Sequence, residues 1–180
     1  MKICVYGSAS DDINSVYLNS GEALGELIAK KGHSLIFGGG AHGMMGAVNR
    51  GLKKYGGYSI GVTPELFHVD GLLCDNVDNM IYTKNMHDRK EYFEGESDAF
   101  IVTPGGLGTF DELFEVLCFK RLGFVDKQKK VVILNINGFF DDAISLINKA
   151  AEENFMPAEK LSLFFVTSDI IKAISYLEEE

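Results

Sequence analysis

The side chains whose types and spacing suggest chemistry fall in two stretches, NMHDRKEYF at 85–93 and TPGGLGTFDELFE at 103–115. On a helix, Met86, Arg89, Lys90 and Phe93 sit at i, i+3, i+4 and i+7 and share one face. With Met86 and Phe93 turned inward, both cations are expected to point at the body of the protein, where a buried charge needs a partner. Two readings stay open for Arg89: a structural ion pair, with Glu112 itself as the partner, or a guanidinium that grips a phosphate or polarises a leaving group. His87 falls off this face and is expected at the surface. Glu112 also has two readings. Thr109-x-x-Glu112 has the form of a capping box, in which the glutamate reaches back to the N-cap N–H. Alternatively, a carboxylate one turn behind a helix tip that holds a phosphate would suit a sugar phosphate. Helical spacing sets Glu112, Glu115, Val116 and Phe119 along one face. Asp111 lies off it and reads as a surface acid that complements the helix dipole.

Glycine-rich turns supply the rest of the expected site: YGSAS at 6–10, FGGGAHGMMG at 37–46 and TPGGLGT at 103–109. In the last, Pro104 closes a strand because it lacks an N–H. Gly105, Gly106 and Gly108 let backbone N–H groups approach a ligand without intervening side chains. Thr109 is expected at the N-cap of the following helix, whose first turn offers free N–H donors and the positive end of the dipole to a phosphate. In the second turn, Gly38, Gly40 and Gly43 formally satisfy the GxGxxG dinucleotide fingerprint. That fingerprint belongs after a first strand, and the acidic residue it requires has only Glu65 as a poor match, so a dinucleotide-dependent oxidoreductase rests on this match alone.

These turns must be held by a scaffold. Strands are expected at 2–6, 34–37, 58–62, 79–82, 99–102, 130–134 and 164–166, several of them near-continuous apolar runs such as SLIF, AFIV and VVIL. Strands buried on both faces of a parallel sheet read this way. Helix-length segments alternate with them, at 15–31, 43–55, 85–95, 109–123, 139–154 and 168–178. The alternation predicts a single α/β domain over residues 1–180, a doubly wound, Rossmann-like, mainly parallel sheet with helices on both faces. Ligands in such folds sit beyond the carboxyl ends of the strands, where the glycine turns are.

Bulk properties narrow the function classes. A net charge of −9 argues against a nucleic-acid or anionic-membrane surface. No apolar run reaches the length of a membrane span, and KICVY at the N-terminus is too short for a signal peptide. Three widely spaced cysteines (4, 74 and 118) without a CxxC point to reduced thiols and a cytoplasmic location. The four histidines show no metal-ligand spacing, so neither a metal nor a cofactor is expected.

MHDRK followed by SDAFIVTPGGLGTFDE resembles the MHxRK and PGGxGTxxE signatures of the LOG (Lonely Guy) family of cytokinin riboside 5′-monophosphate phosphoribohydrolases, long mislabelled as lysine decarboxylases. FGGGAHGMMGAV is similar to that family's GGGxxGLMGAV, VYGSAS to its first-strand turn and LNINGFFD to its LNxxGYYD, in order along nearly the whole chain. The resemblance implies hydrolysis of the N-glycosidic bond of a nucleoside 5′-monophosphate, AMP or an N6-modified AMP, to free base and ribose 5-phosphate. It implies Arg89 and Glu112 as catalytic residues, with phosphate and ribose held by Gly39, Gly40, Gly43, Gly105, Gly106, Gly108 and Thr109. Ser8, Lys90 and Glu115 are further candidates for that role. It also implies a homodimer with a shared active site, for which the apolar Leu113, Phe114, Val116, Leu117 and Phe119 would suit an interface as well as a core. The chain departs from the family where relatives read TWxQLGxHxKP and it reads CFKRLGFVDKQKK, with Phe119 for tryptophan and Arg121 for glutamine. A non-catalytic nucleotide or molybdenum-cofactor carrier is the alternative on a similar fold.

Overall fold

The computed structural model describes residues 1–156 and 163–179. Seven strands form one sheet: β1 Lys2–Tyr6, β2 Ser34–Phe37, β3 Ser59–Pro64, β4 Asn79–Thr83, β5 Ala99–Val102, β6 Lys130–Leu134 and β7 Phe165–Thr167. Every pairing is parallel, in the spatial order β4-β3-β2-β1-β5-β6-β7. The helices between them are α1 Ser15–Lys30, α2 Gly43–Lys54, α3 Met86–Glu96, α4 Leu107–Leu122, α5 Asp141–Glu152 and α6 Ile170–Glu178. The expected mainly parallel, doubly wound sheet is therefore the one observed.

Alternation along β1 explains the two layers. Ile3 and Val5 face a core completed by Leu24 and Ile28 of α1, Met44, Val48 and Leu52 of α2, and Ile174 and Leu177 of α6. Cys4 and Tyr6 face the opposite core, which receives Phe93 of α3, Leu113, Val116 and Leu117 of α4, Phe140 at the N-cap of α5 and Ile147 within that helix. Because both faces are covered, β1, β2, β5 and β6 have no polar face to alternate with, and beyond the opening Lys2, Ser34 and Lys130 of β1, β2 and β6 their runs are apolar. No helix among the described residues is long and apolar enough to cross a membrane.

The chain winds outward from β1 to β4, returns through α3 and places β5 on the other side of β1. The winding reverses there, so the turns after β1 and β5 diverge and open a crevice between them at the strands' carboxyl ends. Thr103 ties the two floors together: its N–H and hydroxyl both donate to the Tyr6 carbonyl, at 2.9 and 2.8 Å. Ser8 N–H donates to the Pro104 carbonyl at 3.2 Å.

Candidate active site

The N-terminus of α4 opens into this crevice. Its cap is Gly106, and Thr109 is the third residue of the helix, almost fully buried. This corrects the expectation that Thr109 caps the helix. Its branched side chain is drawn into the crevice instead, where Oγ1 lies so close to the Gly105 Cα that a Cβ on residue 105 would collide with it. With Thr109 inside the helix there is no capping box, and Glu112 is not held back as a cap. No side chain caps α4, and Phe110 is the first residue whose N–H finds a helical acceptor, the Gly106 carbonyl at 3.0 Å. The N–H groups from Gly105 to Thr109 have no protein partner among the described residues. Several aligned free donors at the positive end of a 16-residue helix make an anion seat. The Ser8 hydroxyl oxygen accepts from Ser10 N–H at 3.0 Å, which leaves its own proton free to donate beside that seat.

One turn further into α4, about 5 Å along the axis, Glu112 meets Arg89 of α3. Glu112 Oε1 lies 3.7 Å from Arg89 Nη1, and the two side chains are only 10% and 12% exposed. Arg89 Nε donates to the Val62 carbonyl at 2.9 Å, and its guanidinium stands over the Phe93 ring at 5.1 Å. Glu112 has no hydrogen bond among the described residues. Burial pushes its carboxyl up to about 7, against the downward pull of the Arg89 charge. A carboxyl in that range is half ionised at neutral pH, where proton transfer is most effective. Arg89 and Glu112 are thus a buried pair of opposite groups, too far apart for a tight hydrogen bond and open to a third party.

One expectation for the MHDRK stretch changes. Met86 is 40% exposed rather than inward, because it opens α3; its sulfur lies 3.7 Å from Arg89 Nη1 and covers the guanidinium from outside. Lys90 is committed to α4. It pairs with Glu115 and donates to Asp111 at 3.1 Å, so Asp111, though exposed, is not an unpaired surface acid. Burial opposes the Lys90 charge, and these two carboxylates outweigh it and raise its pKa. Glu115 lines a separate acidic hollow with His87, Glu91, Glu94 and Asp126. His87 is exposed, as expected.

The second glycine turn divides. Gly43, at φ 60°, packs its Cα against the backbone at Ser8 and Ser10, an approach no side chain permits. Its N–H donates to Asp11 Oδ1 at 2.7 Å, so that amide is taken by a carboxylate rather than left for a phosphate. Gly39 and Gly40 are pinned by the segment after β3: the Gly39 carbonyl accepts from Cys74 N–H at 2.9 Å, and Gly40 bridges Leu73. His42 fastens the same segment, with one ring nitrogen on Asp11 and the other 3.0 Å from the Gly71 carbonyl. A pocket of about 240 Å³ results, lined by Gly38, Gly40, Met45, Phe67, Leu72 and Leu73 and reaching Arg89. Sequence reasoning missed Asp11, Val62 and this pocket wall; all act through contacts distant in the chain, for which local spacing carries no signal.

An all-parallel sheet that reverses at β1 and β5, with an open helix N-terminus and a buried Arg–Glu pair at the reversal, defines a Rossmann-like α/β protein with an anion-accepting crevice. The model of a family described as "possible lysine decarboxylase" matches residues 45–177. LOG4 of Arabidopsis thaliana, a cytokinin riboside 5′-monophosphate phosphoribohydrolase, is 33% identical over 178 residues, 99% of this chain and 82% of the relative. A probable enzyme of the same name from Oryza sativa subsp. japonica, LOGL2, is 32% identical, covering 99% of this chain and 72% of the relative. The chain belongs to the LOG family. Among solved structures, the molybdenum cofactor carrier protein of Chlamydomonas reinhardtii superposes with a TM-score of 0.75 at 27% identity, over 98% of this chain and 95% of that one. The molybdenum cofactor binding protein of Rippkaea orientalis gives 0.73 at 26%, over 98% and 94%.

Proposed function

We propose that the protein is a nucleoside 5′-monophosphate phosphoribohydrolase that acts on AMP or an N6-modified AMP and releases free base and ribose 5-phosphate. The observation that carries this reading is the buried Arg89–Glu112 pair, one turn behind the uncapped tip of α4. In this reading the 5′-phosphate accepts from the N–H groups of Gly105 to Thr109 and from the Ser8 hydroxyl, which fixes the ribose beside Glu112. Holding the non-reacting phosphate supplies the orientation on which the reaction depends. As the bond between C1′ and the base nitrogen lengthens, positive charge grows on the ribose, and the Glu112 carboxylate stabilises it. Water adds to C1′ and gives up a proton to Glu112, while the electrons of the broken bond leave with the base, which takes up a proton. Arg89 stabilises the charge that the departing base carries.

The pocket beside Arg89 supports placing the base there. Met45, Phe67, Leu72 and Leu73 give it apolar walls, and none of its lining side chains is an amide or a carboxylate that would favour guanine. The walls suit an adenine that carries an apolar N6 substituent. Decarboxylation of an amino acid through a pyridoxal Schiff base fits these residues poorly: no lysine lines the pocket, and Lys90 of the motif is paired with two carboxylates. We also assign the outer face of α4, where Leu107, Phe114 and Leu122 are exposed, to contact with a second copy of the chain.

The test is chromatography of the protein incubated with AMP, N6-isopentenyl-AMP, GMP, CMP and UMP, beside Glu112→Gln. Release of base and ribose 5-phosphate from the adenine nucleotides, lost in the variant, is expected. The likeness to molybdenum-cofactor carriers favours a second reading, a binding protein without turnover. Tight ligand binding with no cleavage of any nucleotide would establish that reading and refute ours.

A further inference from the structure

Gly38 follows β2 directly and opens the run of three glycines, yet its backbone does not require glycine. Its φ lies outside the left-handed region, unlike Gly39 at 73° and Gly43 at 60°. What residue 38 lacks is room. A Cβ built there falls well inside contact with Arg89 Nη2, 2.8 Å from Met45 Sδ and 3.3 Å from Arg89 Cζ. The guanidinium therefore rests against the bare Cα. Its other contacts complete a socket: the Val62 carbonyl on Nε, Glu112 beyond Nη1, and the Phe93 ring.

We propose that Gly38 is a positioning residue for Arg89, its missing side chain being the seat that lets one guanidinium reach the Val62 carbonyl and the Glu112 carboxylate together. The glycines of the helix behind this turn differ in kind. A Cβ on Gly46 or Gly51 would strike backbone, the Ala41 or the Glu22 carbonyl, so those glycines serve the packing of the fold. At Gly38 the obstacles are the ends of two flexible side chains. A methyl group there displaces Arg89 rather than the backbone. The first glycine of the triplet thus belongs to the arginine and not to a phosphate.

The consequence for turnover rests on the phosphoribohydrolase reading; the positioning itself does not. Arg89 holds the Glu112 pKa down against burial, so moving the guanidinium away must raise it further. Four proteins make the test: wild type, Gly38→Ala, Arg89→Lys and the double variant. Glu112 is titrated by NMR with carbon-13-labelled glutamate side chains, and kcat/KM for AMP is followed against pH. Gly38→Ala is expected to raise the Glu112 pKa and move the acid limb of the profile upward, as Arg89→Lys does. Its kcat should fall about tenfold or more, a loss larger than any rise in KM. The double variant should be no worse than Arg89→Lys alone, because both changes act through one guanidinium.

A stability cycle guards against a folding defect. Gly38→Ala should lower the urea midpoint in the wild-type background and cost clearly less in Arg89→Ala, where the guanidinium is gone, only the flexible end of Met45 has to give way and the alanine restricts the unfolded chain. An unchanged Glu112 titration in folded Gly38→Ala, or equal destabilisation in both backgrounds, overturns the assignment. Failure of the wild type to cleave any nucleotide would overturn the proposed function instead. The titration and the stability cycle would still decide the role of Gly38.

Discussion

Glu112→Gln should make the protein more stable at alkaline pH while it abolishes turnover. The carboxyl has a pKa of about 7 in the folded protein against an ordinary 4.5. A group whose folded pKa is raised stabilises the fold below its unfolded value, and that stabilisation is lost as pH rises through the folded value. Across that interval, at about 1.4 kcal/mol per pH unit, the wild type loses about 3 kcal/mol, and glutamine loses none of it. With the side chain only 10% exposed, solvent screening takes little from this figure. Glutamine also leaves Arg89 without a counter-charge, which opposes the gain. That penalty is already present in the wild type at pH 4, where Glu112 is protonated. The informative quantity is therefore the change in the stability difference between pH 4 and pH 8, measured by urea unfolding of both proteins. It should favour the variant by about 3 kcal/mol more at pH 8, or roughly 6–12 °C in Tm for a chain of this size. A difference that stays constant across this range would refute the reasoning, since Glu112 would then ionise in the fold as it does in water.

Other outcomes follow from the same geometry. The kcat/KM for AMP should rise with pH and level off above about 7, because the ionised Glu112 is the active form; in Glu112→Gln any residual rate should lack this limb. Thr109→Val keeps the shape of a buried residue but removes the hydroxyl that lies against Gly105 at the proposed phosphate seat. It should raise KM for AMP about tenfold or more and leave any cleavage of adenosine, which lacks the phosphate, little altered. Lys90→Met strands Glu115 and should cost about 1–2 kcal/mol in urea unfolding; a stable variant with a sharply higher KM would assign Lys90 to the substrate instead. With the proposed contact between copies running over the exposed face of α4, Phe114→Asp should shift the protein to a monomer in analytical ultracentrifugation.

The elements that position the site were legible wherever a strand is buried on both sides. β1, β2, β5 and β6 run over the residues their apolar stretches predict, because a sheet covered on both faces demands unbroken apolar runs. At β3 and β7 the polar flanks Thr63 and Thr167 blur the ends by a residue or two. The largest error in the site is the start of α4. Glycine is a poor helix former and threonine a good cap, so local preference puts the first turn at Thr109. Tertiary structure overrides it: the crevice takes the threonine side chain, and the helix begins two residues earlier.

That displacement bears directly on function. A capping box would have bent Glu112 back to the helix end and satisfied it there. With the cap at Gly106, the carboxyl is left buried beside Arg89 with its pKa near neutrality, and the N–H groups ahead of it stay open. Two features that spacing alone set in competition, an anion seat and a capped helix, are resolved by one shift of register in favour of the seat. The same holds for the glycine triplet. Its spacing mimics a dinucleotide fingerprint, but Gly43 gives its N–H to Asp11, Gly39 and Gly40 are tied to the segment after β3, and Gly38 makes room for Arg89. A fingerprint helix must present free amides to a pyrophosphate; here the amide at its start is spoken for by a carboxylate. In the proposed reading the phosphate therefore goes to α4 on the far side of β1, and the triplet is left to shape the arginine and the pocket beside it.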